Sequence, residues 1–245
     1  MNDDKLLIRR ISDIAALADK YNMPRFSDFL DEAEQAKIKA SYADSGGVWF
    51  GGYETAGRRM LGFFPEWYEV DVQEFPIAAV KIENKGIKTL THRDYLGTVM
   101  SLGLERKKIG DIAVYEKGAY IFVTEDMADV VSGIEKISNC GVRCNVIPVA
   151  ECEIAAAEFE MKSIIAASMR LDAVLASLLK LSRKNASELI SGGRCAVNHL
   201  EVLRSDYILS EGDLLSVRGF GRAVVDSVGS RTRSDRLHIT IKKFI

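Results

Sequence analysis

Apolar positions recur along this chain with two periods, and the change from one to the other marks its elements. Leu7, Ile11, Ile14, Leu17 and Ala18 stand three or four residues apart and predict a helix. Pro24 breaks the chain, and Ser27 is placed to cap a second helix that carries Phe29, Leu30, Ala33, Ala36 and Ile38. Asp31, Glu32, Glu34, Lys37 and Lys39 give that helix a solvated face, and Asp44-Ser45-Gly46-Gly47 ends it. Two short apolar runs, 48–50 and 60–64, read as strands. The glycine-rich connection between them lacks the Gly-Lys-Ser/Thr ending of a phosphate-binding loop, although its Arg58-Arg59 pair could touch a phosphate.

From 75 to 149 the periods alternate. Residues 77–82 form a strand. Thr91-His92-Arg93-Asp94 is a capping box that opens a helix with Leu96, Val99 and Met100 on one face. Residues 112–115 and 119–123 form a hairpin around Glu116-Lys117-Gly118. Thr124 caps a further helix that presents Met127, Val130, Val131, Ile134 and Ile137, and 142–149 closes as a strand. The order β-α-β-β-α-β is ferredoxin-like, the order of an RNA-recognition motif. Such a motif stacks bases on aromatics of its central strands. Here Tyr120 and Phe122 share one face, the first strand offers only aliphatics and Lys81, and the pair is expected in the core. Residues 151–165, rich in Ala and Glu, read as a connecting helix or extended linker.

Leu171, Val174, Leu175 and Leu178 fall at i, i+3, i+4 and i+7. Ser182 is a good N-cap for a second helix that buries Ala186, Leu189 and Ile190, and Gly192-Gly193 ends it. What this pair leaves in solvent is mostly basic: Arg170, Arg183, Lys184 and Arg194. A helix pair with a cationic rim fits a phosphate backbone. The last strand alternates, with Leu237, Ile239 and Ile241 on one side and Arg236, His238, Thr240 and Lys242 on the other. Arg218, Arg222, Arg231 and Arg233 flank it. The expected architecture is α+β in three parts: an N-terminal helical and β unit over 1–74, a ferredoxin-like middle domain with a connecting helix over 75–162, and a basic α/β domain over 163–245.

Charge sharpens that division. The net charge of the 245 residues is -2, yet from Ser163 onward 13 Lys+Arg face 8 Asp+Glu, a balance of +5 against -7 for the rest. A basic end on an acidic body suggests nucleic acid at one end and something else at the other. Cys140, Cys144, Cys152 and Cys195 show no C-x-x-C spacing and the histidines are scattered, so reduced thiols are expected rather than a metal site. The N-terminus has no signal-peptide pattern, and no apolar run approaches the ~18 residues of a membrane span. The expected location is the cytoplasm.

Arg170-Leu171-Asp172, Ser182-Arg183, Leu189-Ile190, Gly193, Val197-Asn198 and Gly212-Asp213 with the strand after it resemble the S-four domain, an RNA-binding domain named after small-subunit ribosomal protein four. His199 departs from it, standing where that family usually has glycine. Thr91 to Gly97, Leu102-Gly103-Leu104-Glu105-Arg106, Ile109-Gly110-Asp111-Ile112 and Val217-Arg218-Gly219-Phe220-Gly221-Arg222 resemble YlmH-type proteins, ribosome-associated bacterial proteins that end in an S-four domain. The resemblance implies a monomeric RNA-binding protein that docks on rRNA of the large ribosomal subunit, on tRNA, or on both, and assists rescue of stalled nascent chains. A protein-interaction adaptor linked to bacterial cell division is the alternative. The residues expected at RNA are Arg170, Ser182, Arg183, Lys184, Arg194, Asn198, Arg218, Arg222, Arg231, Arg233 and Arg236. No cofactor, metal or small-molecule substrate is expected.

Catalysis finds little support. Arg170-Leu171-Asp172 resembles the catalytic triplet of pseudouridine synthases, but there it lies in a separate large domain, whereas Asp172 here opens a helix whose dipole favours an acid in the first turn. No glycine-rich methyltransferase turn and no Gly-x-Ser-x-Gly elbow is present.

Overall fold

The computed structural model describes residues 2–41, 46–154, 159–232 and 235–244, apart from the Asn2 side chain. The chain divides into two compact units, Met1–Ala155 and Ala156–Ile245.

The first unit begins with α1 (Asn2–Tyr21), which buries Ile11 and Ala18 against Ile38 of α2 (Glu32–Ser41) and against Leu61 and Phe63. A small antiparallel sheet is made of β1 (Arg25–Phe26), β2 (Val48–Phe50) and β3 (Met60–Phe63), in the order β1-β3-β2. Ser27 does not cap α2. Its hydroxyl donates to the Asp28 carbonyl (2.8 Å) and accepts from the Leu61 N–H (2.9 Å), while Leu30 makes an extended bridge with Arg59. The helix starts four residues later at a reciprocal box. Asp31 accepts from the Glu34 N–H and Glu34 accepts from the Asp31 N–H, each at 2.8 Å. The sequence pattern ends this helix at 44–47, and residues 44 and 45 of that turn lie outside the described residues.

The larger sheet follows. It comprises β4 (Ile77–Asn84), β5 (Ile109–Tyr115), β6 (Gly118–Thr124), β7 (Lys136–Ile137) and β8 (Cys140–Ile147), all antiparallel, in the order β5-β6-β4-β8-β7. Helix α3 (His92–Ser101) opens at the expected box, where the Asp94 carboxylate accepts from the Thr91 N–H (2.9 Å) and hydroxyl (2.6 Å). The second helix is much shorter than the pattern predicts. α4 is Ala128–Ser132 and stops at Gly133, after which Ile137 enters β7. Ile134 and Ile137 are buried as expected, because a helical turn and a short strand both aim them inward.

One face of this sheet packs with α3 and α4 on Val80, Ile82, Tyr95, Val99, Ile121 and Val131. The other face carries Ala79, Tyr120 and Phe122, and Phe29, Met60 and Phe75 cover it. Phe122 is fully buried and Tyr120 is 5% exposed. Gly52 allows the closest approach. A Cβ there would sit 2.3 Å from Phe122 Cδ1, and its φ of +99° suits only glycine. The aromatic pair is therefore core, as expected, and the face on which a recognition motif would stack bases is closed.

The second unit opens with β9 (Phe159–Ala166), a paired strand where the sequence suggested a connecting helix or extended linker. Then come α5 (Leu171–Leu179), α6 (Arg183–Ser191), β10 (Cys195–Val197), β11 (Leu200–Glu201), β12 (Leu214–Val217), β13 (Gly221–Arg231) and β14 (Leu237–Phe244). The sheet is antiparallel in the order β11-β10-β12-β13-β14-β9. Leu171, Val174, Leu175, Ala186 and Ile190 of the helix pair bury against Val197, Leu215, Val225, Ile239 and Ile241. In β9 the inward residues are Ile164 and Ala166, while Phe159, Met161 and Ile165 alternate outward and stay exposed.

All four cysteines are free thiols. Among the described residues no group of His, Cys, Asp and Glu is placed to hold a metal ion, and no helix is long and apolar enough to cross a membrane.

Candidate nucleic-acid interface

The basic rim is organised by an acid. Asp172, 4% exposed in the first turn of α5, accepts from Arg170 Nε (3.2 Å) and Nη2 (3.1 Å) and from Arg183 Nη2 (2.7 Å). Burial acts to raise the Asp172 carboxyl, but the hydrogen bonds and charges of the two arginines outweigh it and hold the group below the usual carboxylate range. The hydrogen bond to Asp172 in turn raises Arg170. The clamp fixes the inner edge of each guanidinium and leaves the side chains 41% and 55% exposed. The start of α5 is itself occupied, since the Leu171 and Asp172 N–H groups donate to the carbonyls of Tyr207 (2.8 Å) and Ser205 (3.1 Å). Asp172 thus does more than complement a helix dipole. The signal for it in the sequence is an acid two residues after one arginine and eleven before another.

Ser182 caps α6, its hydroxyl accepting from the Asn185 N–H at 3.1 Å, and Lys184 is exposed in the first turn. Past the helix, Arg194 and Arg218 are brought together by a hydrogen bond from the Arg218 N–H to the Arg194 carbonyl (2.9 Å). With Arg222 they line an open hollow of about 460 Å³ that also takes in His199, Glu201 and Ser216. The Arg222 guanidinium lies over the Phe244 ring at 4.9 Å.

Asn198 and His199 both take positive φ (49° and 68°) in the two-residue turn between β10 and β11. His199 adopts the left-handed position that glycine would take without strain. The Asn198 amide is engaged on both sides, donating to Asp213 Oδ1 (2.7 Å) and accepting from the Leu214 N–H (2.9 Å).

The remaining arginines stand elsewhere. Arg231 ends an eleven-residue strand whose other end is next to Arg222. At about 3.3 Å per residue that is roughly 30 Å away. Arg231 pairs with Asp235 (2.8 Å), Lys242 pairs with Asp226 (2.5 Å), and Arg236 is exposed. Arg233 lies outside the described residues. In the first unit Arg58 and Arg59 turn onto backbone carbonyls. Arg58 donates to Ile109 (2.9 Å), Phe29 (3.1 Å) and Arg106 (3.3 Å), and Arg59 donates to Ala56 (2.7 Å) and Glu54 (2.8 Å).

A family model described as "Putative RNA-binding domain in YlmH" matches residues 71–151, and the S4 domain model matches 169–215. The protein named "Ribosome-associated protein quality control protein P2" of Bacillus subtilis (strain 168) is 34% identical over 230 residues, covering 92% of this chain and 89% of that one. The chain belongs to the YlmH family. A solved structure, "Cell division protein ylmH from Streptococcus pneumoniae", shares the fold with a TM-score of 0.51 at 23% identity, over 62% of this chain and 95% of that chain. In this YlmH-family chain the S4 match contains the Asp172 clamp, Ser182, Lys184, Arg194 and Asn198, and it stops short of Arg218 and Arg222.

Proposed function

We propose that this YlmH-family protein binds structured RNA on the ribosome, with rRNA of the large subunit and tRNA as its targets, and serves quality control of stalled translation. The observation that carries this reading is the clamp at Asp172. It holds Arg170 and Arg183 side by side with their outer edges in solvent, beside the capped helix that displays Lys184. Paired, oriented guanidinium groups suit phosphate oxygens. The name of the Bacillus subtilis relative, 34% identical, supports the ribosomal setting. We place the RNA-binding function in the second unit, with β9 as part of it. We read the middle sheet as ferredoxin-like, because its four long strands stand in the order second-third-first-fourth with a helix after the first and after the third. The protein acts in the cytoplasm as a monomer and by binding, without chemistry of its own. The alternative, an adaptor at the division machinery, draws on the acidic balance of the chain before Ser163 and on the name of a structure that shares the fold at 23% identity.

The test uses the full chain. Affinity for large subunits is measured over a range of salt for the protein and for Arg183→Ala/Lys184→Ala/Arg194→Ala. Each lost phosphate contact should lower the slope of log affinity against log salt by about one unit. An unchanged slope rejects the assignment.

A further inference from the structure

A second hollow in the same unit, about 260 Å³, lies where the last turn of α5 meets the ends of the strands. Its floor is apolar, formed by Leu179, Val217 and Ala223. One wall is Phe220, at the tip of the turn between β12 and β13. Gly219 (φ +88°) and Gly221 (φ +95°) flank it, and this turn holds the aromatic ring 41% exposed. Tight turns tend to carry polar residues, so an aromatic presented this way needs an account.

The rim is cationic. Lys162, Lys180, Lys243 and Arg222 line it, and no carboxylate does. The Lys162 ammonium also meets Glu160 at 3.1 Å, outside the lining. Arg222 lines both this pocket and the hollow that holds Arg194 and Arg218, so the two are neighbours. An occupant must therefore be flat and apolar in the middle and anionic at its edge. The negative end of the α5 dipole faces the pocket, which disfavours a bare phosphate on the floor and favours a group with N–H donors. A nucleotide satisfies all of these conditions. Aromatic platforms beside cationic grooves are how single-stranded nucleic acid is held.

We propose that this pocket receives one unpaired nucleobase of the bound RNA, packed on Phe220, with the adjoining phosphates on Lys180, Lys243 and Arg222. The inference rests on the RNA-binding reading above and adds to it that the protein selects RNA with a base out of the helix.

Two hairpin RNAs matched in phosphate count test it with the full chain, one fully paired and one carrying a single bulged uridine. The protein should prefer the bulged hairpin by about tenfold, the scale of one stacked base. Phe220→Ala should abolish the preference and leave affinity for the paired hairpin unchanged. Equal binding of both hairpins by the unaltered protein overturns the pocket and leaves RNA binding standing, whereas binding to neither overturns both. Should Phe220→Ala fail to fold, the unaltered protein decides. A 4-thiouridine at the bulge should cross-link within residues 178–180 or 215–223 on irradiation, and cross-linking confined to α6 and the first turn of α5 overturns the proposal. Capture of anionic phospholipid vesicles with no discrimination between the hairpins would assign the pocket to an acyl chain, and would overturn it too.

Discussion

Arg58 in the first unit and Arg183 in the second are the same side chain in opposite circumstances. Arg58 is half-buried and donates to the carbonyls of Ile109, Phe29 and Arg106, while its own N–H and that of Gly57 are held by Asp111 (2.9 and 2.6 Å). Burial pushes its pKa down, opposed by the charges of Asp31, Glu34 and Asp111. Arg183 meets one carboxylate through one nitrogen and leaves more than half of its side chain exposed. The difference comes from the supply of acceptors. Irregular chain leaves carbonyls without ladder partners, and buried carbonyls must be paired. The extended segment near Phe29 and the turn over 106–109 draw Arg58 inward. α6 satisfies its own carbonyls and leaves Arg183 free to face a ligand. Local net charge does not distinguish these cases.

Arg58→Ala should give the largest effect. It strands the Phe29 carbonyl, although the Ile109 carbonyl keeps Arg106 Nη1 (2.7 Å) and the Arg106 carbonyl keeps the Ile109 N–H. With the packing of a half-buried side chain also lost, the first unit should lose about 2–4 kcal/mol by chemical denaturation, while the salt slope of RNA binding stays unchanged. A lowered slope would break the contrast with Arg183. Asp172→Asn comes next. Removing the charge that two arginines share should cost the second unit about 1–3 kcal/mol, with the salt slope kept because both cations remain. A slope lost as in the Arg183 variant would mean that Asp172 matters to RNA in some way other than orientation. The smallest effect is on acid stability in the first unit. The hydrogen bond from the Thr91 hydroxyl, then those from the Thr91 N–H and Ser138, hold Asp94 down at about 2. A carboxyl lowered from its ordinary 3.8 stabilises the fold fully above that pH and loses its contribution as pH falls towards about 2. The gap in urea midpoint between the protein and Asp94→Asn should therefore be constant above pH 4 and shrink below it. A gap that stays constant down to pH 2 would show that Asp94 contributes no acid-sensitive stability.

The readable parts of the fold are those where a cap and a period agree. Thr91 with Asp94, and Ser182 ahead of Ala186 and Ile190, mark two helices from residue types and spacing alone, and the alternation over 237–242 marks the last strand. The unread parts have local signals that point the wrong way. Ser27 is a good cap type, but its hydroxyl is taken by a strand 34 residues away. The alanines and glutamates before Phe159 hide the period-two pattern of β9, so a fragment begun at 163 would cut that strand in half. At the site, the arginine positions are legible in the sequence and their sorting is not. Which of them converge on Asp172 depends on how α5 packs on α6, and which line the hollow with Arg194 or pair at the far end of β13 depends on strand register. Phe220 is visible in its Gly-Phe-Gly setting, but the cations around it come from β9, the end of α5 and β14.

The cover over Tyr120 and Phe122 has a consequence in time. Phe29 and Met60 are synthesised well before the strand they pack on, with roughly sixty residues separating Met60 from Phe122. At about 5–20 residues per second that gap lasts on the order of 3–12 s. Until β6 arrives, the first segment can form α1 and its small sheet with Leu61 and Phe63 buried, but Phe29 and Met60 lack the strand they pack on. The first unit therefore completes its folding late in its own translation, and its N-terminal layer is the part most exposed to misassembly if elongation pauses between Met60 and Phe122.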